Sequence, residues 1–309
     1  MALTRIHHVG MVTSELENAR KLFCDGFGLS VDEHRTPWPE GRSGNGNSLS
    51  VVEFPIGEMY YEVTTPNDSD SSAAQFLDAS GGRGGIHYIS IASTDIGKDV
   101  QNLLDQGLKL KGEWHGEGPV FFDPSTCLGL EIQITPDDDY YVHPFFRGKG
   151  LVTGMAHVGL AARNADEVRQ FWGQIMGLGE DKTMERGLDR DPAGAPRPAG
   201  DPVHLLEFPL GGSVVEVSIP TTEDSGTARL VAQRATEGAV YHHTCPYTPD
   251  VHAFTEGAVA AGIQQIGAIP PKEERERVVA WFHPRSCLGM LVEAWNRPAG
   301  GDHYRPIAP

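Results

Sequence analysis

The chain has 309 residues, of which 39% are hydrophobic and 22% charged, a balance that supports folded structure almost throughout and, at roughly 150 residues per domain, two domains. Its formal net charge of -17 argues against nucleic-acid partners, which need Lys and Arg to neutralise phosphates, and disfavours ligands carrying several phosphates. The cysteines Cys24, Cys127, Cys245 and Cys287 form no CxxC pair, so buried free thiols are expected rather than a disulfide or zinc-finger framework.

Met1 to Arg5 shows no basic stretch leading into an apolar core, and no long apolar run follows, which predicts a cytoplasmic protein without a membrane span. The first strand-like run is Ile6 to Thr13. An amphipathic segment from Leu16 to Phe27 follows, with Leu16, Ala19, Leu22 and Phe23 on one helical face. Glu33 to Ser48 is rich in Gly, Pro and charge and reads as a lid or as a surface insertion. Val51, Val52 and Phe54 belong to short strand-like runs bounded by Gly and Pro. The order restarts with the strand-like Ile86 to Ala92 and the helical Ile96 to Gln106. Pro136 to Val152, opening with Asp137-Asp138-Asp139, reads as a linker. Beyond it Val158 to Ala162 precedes Ala165 to Met176, a second loop spans Glu185 to Pro202, and Tyr241 to Cys245 precedes Val251 to Ala261. The expected domains are 1–136 and 153–309, joined by 137–152.

The halves repeat one another, and repeats decide architecture. Glu53-Phe54-Pro55-Ile56-Gly57 returns as Glu207-Phe208-Pro209-Leu210-Gly211, with Glu62 and Glu216 equally placed behind the two glycines. Phe122 to Gly129 matches Phe282 to Gly289, and His8-Val9-Gly10 matches His157-Val158-Gly159. Because each half is itself doubled, the predicted fold is α+β: four βαβββ modules in two tandem domains of mixed sheet flanked by helices.

His-Val-Gly opening a module, a glutamate in its last strand, His242-His243 opening the next, and Phe282-His283-Pro284 followed by Gly289 and Glu293 together resemble the vicinal oxygen chelate superfamily of glyoxalases, epimerases, extradiol dioxygenases and bleomycin-resistance proteins. The resemblance covers nearly the whole chain. It implies a glyoxalase-like partial barrel in each half, with one metal ligand from the first and one from the last strand of every module. In the second half these positions are His157, Glu216, His243 and Glu293, a set of N and O donors suited to zinc first, or to manganese, cobalt, nickel or iron. His242, next to His243 on a strand, is expected to face the other way as a structural or supporting residue.

The same mapping gives His8, Glu62, Tyr88 and Gln133 in the first half. That set reads as degraded, because a phenol with a pKa of about 10 is a poor ligand and an amide carries no charge. Glu131 or His87 would substitute only in a shifted register. The first half is then left to folding, dimerisation or part of a substrate pocket.

Four ligands leave an octahedral ion two positions, enough for a substrate carbonyl and a neighbouring oxygen, whereas a dioxygenase needs three and uses two His and one carboxylate. The second half further resembles methylmalonyl-CoA epimerases in Glu216 to Pro220, Tyr241 to His243 and Phe282 to Glu293. By that resemblance Glu293 is both ligand and one base. The family's second base falls on Gly200, a departure, with Asp201 or His204 nearby to take the role. This departure and the acidic chain shift the expected substrate from methylmalonyl-CoA toward a small polyhydroxylated ketone such as 2-epi-5-epi-valiolone. The alternatives are an extradiol-type ring-cleaving dioxygenase and a non-catalytic small-molecule binder. A homodimer is the expected assembly.

Overall fold

A computed structural model describes residues 1–141, 150–181, 201–269, 271 and 278–296. Among the described residues each half forms one mixed seven-stranded sheet. In the first, β1 (Leu3–Val12), β2 (Arg42–Gly44), β3 (Leu49–Ile56), β4 (Met59–Pro66), β5 (Gly85–Ser93), β6 (Val120–Phe122) and β7 (Glu131–Pro136) run in the order β2-β3-β4-β1-β5-β7-β6. The second sheet orders β8 (Gly154–Ala162), β9 (Val203–Leu210), β10 (Ser213–Pro220), β11 (Ala239–Tyr247), β12 (Gln265–Ile266), β13 (Val279–Phe282) and β14 (Leu291–Trp295) as β12-β13-β14-β11-β8-β10-β9. Two modules therefore join through their opening strands, β1 against β5 and β8 against β11, both antiparallel. Each opening strand runs parallel to the last strand of its own module.

The first and fourth modules show the full βαβββ order. In the second module only an isolated bridge, Leu110 to Phe122, stands where one strand was expected. The opening helices begin as α-helix over Leu16–Arg20 and Ala165–Val168 and continue as π-helix over Lys21–Gly26 and Arg169–Ile175. Two further helices, Ser72–Ala79 and Gly226–Arg234, bridge consecutive modules, capped by Ser71 and Ser225. They escape the repeat pattern because they lie between its units.

Glu33 to Ser48 is not wholly irregular, since β2 pairs with β3 and fixes Arg42 opposite Val51. The start of the linker is also packed: Asp137 accepts from Thr4 and Arg5, and the Tyr141 hydroxyl lies within hydrogen-bonding distance of the carboxyl groups of Asp32 and Glu53. Most of the Glu185 to Pro202 loop lies outside the described residues. The four cysteines are free, three buried and Cys24 half-buried. Among the described residues no helix is long and apolar enough to cross a membrane.

One core runs through both halves, joining Phe23, Phe54 and Tyr61 to Phe208, Phe254 and Phe282. Polar contacts cross the same boundary. The Tyr61 hydroxyl lies 3.0 Å from Thr244 Oγ1, and the Tyr241 hydroxyl accepts from Ile89 N at 3.1 Å while donating to the Glu131 carbonyl at 2.7 Å.

Every opening strand carries a bulge one residue before its expected ligand position. Ile6 faces Ile91 while His8 faces Ser90, leaving His7 as the extra residue, and likewise His87 is extra before Tyr88. Ala156 and His242 are extra before His157 and His243. An added residue bends the strand and re-aims the side chain that follows.

Candidate metal centre

His157 on β8, Glu216 on β10, His243 on β11 and Glu293 on β14 come from four strands that are neighbours in the second sheet. All four are buried. His157 Nε2 lies 2.9 Å from His243 Nε2 and 3.1 Å from Glu293 Oε2, and His243 Nε2 is 3.3 Å from the same oxygen. Glu216 Oε1 is 3.7 Å from each imidazole Nε2. His157, His243 and Glu293 thus bring three donor atoms together at one point, and Glu216 lies beside the two imidazoles.

This arrangement fits a divalent cation. Ions bound by N and O at about 2.1 Å separate adjacent ligands by about 3.0 Å when octahedral and about 3.4 Å when tetrahedral, values that fall within the observed spacing. Within the cluster, two imidazole nitrogens and two carboxylates sit together away from water, a grouping that a bound positive charge stabilises. Burial opposes a proton on His157, but the Cys245 sulfur and the carboxylates of Glu216 and Glu293 draw its pKa well above the ordinary value. Burial would raise the Glu293 pKa, yet hydrogen bonds and charge from His157 and His243 hold it at about 2. Glu293 and His157 thus favour opposite charges, the imidazole taking the proton that the carboxylate gives up.

The local sequence explains the approach. A Cβ on Gly159 would stand 2.0 Å from His243 Cε1, and one on Gly10 would stand 2.0 Å from the Tyr88 ring. The glycine of each His-Val-Gly leaves room for the ring of the facing strand. Trp295 and Trp281 wall the site, edge-on to His157 at 5.8 Å and to His243 at 5.5 Å between ring centroids.

His242 does not face away. Its place at the bulge brings His242 Nδ1 to 3.2 Å from His243 Nδ1. Burial and neighbouring His243 lower its pKa to about 3; in the tautomer that protonates His243 Nδ1, that N–H donates to His242 and leaves His243 Nε2 free toward the cluster. Strand alternation failed to anticipate this contact because it assumes a regular ladder.

Asp201 accepts from Gly226 N at 3.1 Å, Thr227 N at 2.5 Å and Thr227 Oγ1 at 2.7 Å, at the start of the helix Gly226–Arg234. Burial opposes its ionisation, but these hydrogen bonds hold its pKa below the usual range. His204 is half-buried on β9, opposite Ile219. Gly200 lies outside the described residues.

In the first half the corresponding side chains make a different cluster. The Tyr88 hydroxyl donates to Glu62 Oε1 at 2.5 Å and lies 3.1 Å from His8 Nε2. Gln133 Oε1 accepts from Ser90 Oγ at 2.7 Å. Arg42 Nη2 stands 3.1 Å from both Glu62 Oε2 and Glu53 Oε1. Burial pushes the His8 pKa well below and the Tyr88 pKa well above their ordinary values. The alternatives are engaged elsewhere: Glu131 pairs with Lys111 at 2.6 Å and lies 3.7 Å from His87 Nε2. Sequence reasoning missed Arg42, which sits in a segment read as irregular.

Family models described as the Glyoxalase/Bleomycin resistance protein/Dioxygenase superfamily match residues 7–121 and 154–293. Among curated proteins, the mitochondrial methylmalonyl-CoA epimerase of Bos taurus is 30% identical over 137 residues, 43% of this chain and 74% of that protein. The Homo sapiens protein of the same name is 28% identical over 137 residues, 43% of this chain and 73% of its own length. Among solved structures, a variant of 4-hydroxymandelate synthase from Streptomyces coelicolor aligns with a TM-score of 0.63 at 12% identity, over 96% of this chain and 93% of that one, a likeness of fold. With two matching models in tandem and the expected modules in place, the chain belongs to the Glyoxalase/Bleomycin resistance protein/Dioxygenase superfamily.

Proposed function

We propose that the protein is a metal-dependent epimerase acting at a carbon next to a carbonyl, with its working site in the second half. The convergence of His157, Glu216, His243 and Glu293 within 3.7 Å of the imidazole nitrogens carries this reading. The relatives named methylmalonyl-CoA epimerase support the reaction class. Zinc leads the candidate cations, followed by manganese, cobalt, nickel and iron.

A bound cation would act as a Lewis acid toward a substrate carbonyl, making the neighbouring C–H more acidic. His157 and His243 orient the site, and Glu216 adds negative charge to it. Glu293, held anionic, takes the proton on one face of the substrate. Asp201 or His204 returns it on the other, and inversion requires two such groups. Trp281 and Trp295 exclude water from the region of proton transfer. The net charge of -17 favours a small polyhydroxylated ketone such as 2-epi-5-epi-valiolone over a methylmalonyl-CoA-like acyl substrate.

Metal content of wild type, His157→Ala and His8→Ala tests the site. About one ion per chain, lost only in His157→Ala, agrees with the proposal; no ion after reconstitution overturns it. Solvent deuterium exchange into hydroxyketones then separates an epimerase from a binding protein, and oxygen uptake with catechols identifies a dioxygenase.

A further inference from the structure

The first-half cluster does not fit a metal ion, and the way it fails is informative. One hydroxyl, that of Tyr88, reaches both His8 Nε2 at 3.1 Å and Glu62 Oε1 at 2.5 Å. These residues correspond to His157 and Glu216, whose donor atoms converge directly in the second half. Tyr88 occupies the position of His243: each faces the glycine of a His-Val-Gly and lies over it. The longer phenol carries its oxygen past the place of an imidazole nitrogen to the middle of the donor set. Arg42, reaching in from β2, places a positive charge 3.1 Å from Glu62 and from the buried Glu53. Gln133, at the place of Glu293, is turned to Ser90. A hydrogen-bond donor and a fixed charge are therefore both supplied by the protein.

We infer that the first half holds a latent metal site in which the Tyr88 hydroxyl stands where an ion would bind and the Arg42 guanidinium supplies its charge. Stability of that half is consequently independent of metal, and three exchanges, Tyr88→His, Gln133→Glu and Arg42→Leu, convert it into a site for a divalent cation. The geometry of the first half carries this inference, whatever the second half binds.

The test uses the full chain carrying His157→Ala and His243→Ala, so that the second-half site is disabled. After stripping and reloading with Zn(II), this parent is expected to hold no ion, and adding the three exchanges is expected to give about one ion per chain. An ion held by the parent and lost on adding His8→Ala overturns the inference, as does a folded triple exchange that holds none. If the triple exchange fails to fold, Tyr88→Phe in the wild-type background decides. Loss of the bridging hydroxyl is expected to lower Tm by about 2–6 °C, equally in chelator and in Zn(II); no shift, or a shift only with metal, overturns the inference. A wild type that holds no ion speaks against the second-half site alone.

Discussion

His157 Nε2 and His243 Nε2 face one another at 2.9 Å across neighbouring antiparallel strands, an approach that depends on the absent side chain of Gly159. Gly159→Ala would place a methyl group 2.0 Å from the His243 ring and must displace it. This substitution is expected to cost about 1–3 kcal/mol of stability and to reduce bound metal. Gly10→Ala meets the Tyr88 ring at the same distance and should destabilise comparably without changing metal content. Thermal melts paired with metal analysis of both variants distinguish the two roles.

His242 holds the outer nitrogen of His243. Supporting partners of metal-bound histidines typically change metal affinity by about 10–100-fold when removed. His242→Ala is expected to weaken binding within that range while leaving the fold intact. Competition with a chromophoric chelator measures it; an unchanged affinity would remove His242 from the site.

Acid stability should depend on His7. Burial and the charge of Arg5 lower its pKa to about 4, against an opposing pull from Asp138. A folded pKa below the unfolded value means that the unfolded chain takes up protons first. The resulting stability is present above pH 6.5 and is lost as pH falls through about 4, amounting to about 2 kcal/mol between pH 7 and pH 5. His7→Asn should flatten Tm over that interval, which melting scans at several pH values would reveal.

The second base is open to a direct comparison. Asp201→Asn keeps an acceptor for Gly226 and Thr227 but cannot take a proton, whereas His204→Gln removes the imidazole. Because the Asp201 carboxylate already accepts three hydrogen bonds, His204→Gln is expected to show the larger fall in deuterium exchange, about 100-fold or more. Asp201→Ala should instead lower stability by about 1 kcal/mol through its lost contacts with the helix start. A larger activity loss in Asp201→Asn with metal retained would reverse the assignment.

Much of this architecture was legible because the repeat preserves strand order, and strand order fixes which residues become neighbours. His157, Glu216, His243 and Glu293 lie far apart in the chain, and the resemblance to the vicinal oxygen chelate superfamily named them together; the structure gathers His157, His243 and Glu293, with Glu216 beside the imidazoles. What escaped were departures from regular periodicity. The bulge at His242 defeats alternation, and the approach of Arg42 depends on a three-residue strand inside a Gly-rich stretch. Short strands and bulges are decided by tertiary contacts rather than by local pattern. The helices between modules carried serine caps, but no repeated motif drew attention to them.

The Tyr241 hydroxyl, two residues before His243, accepts a main-chain proton from Ile89 and gives its own to the carbonyl of Glu131. It is thus a rivet between the β5–β7 ladder of one half and a ligand strand of the other. Cutting the gene at the linker would leave that donor and acceptor without the phenol and would uncover the apolar surface shared by Phe27 and Phe254. Although the chain reads as a duplication, its halves have become mutual scaffolds, and either one made separately should be insoluble or unfolded until the other is supplied.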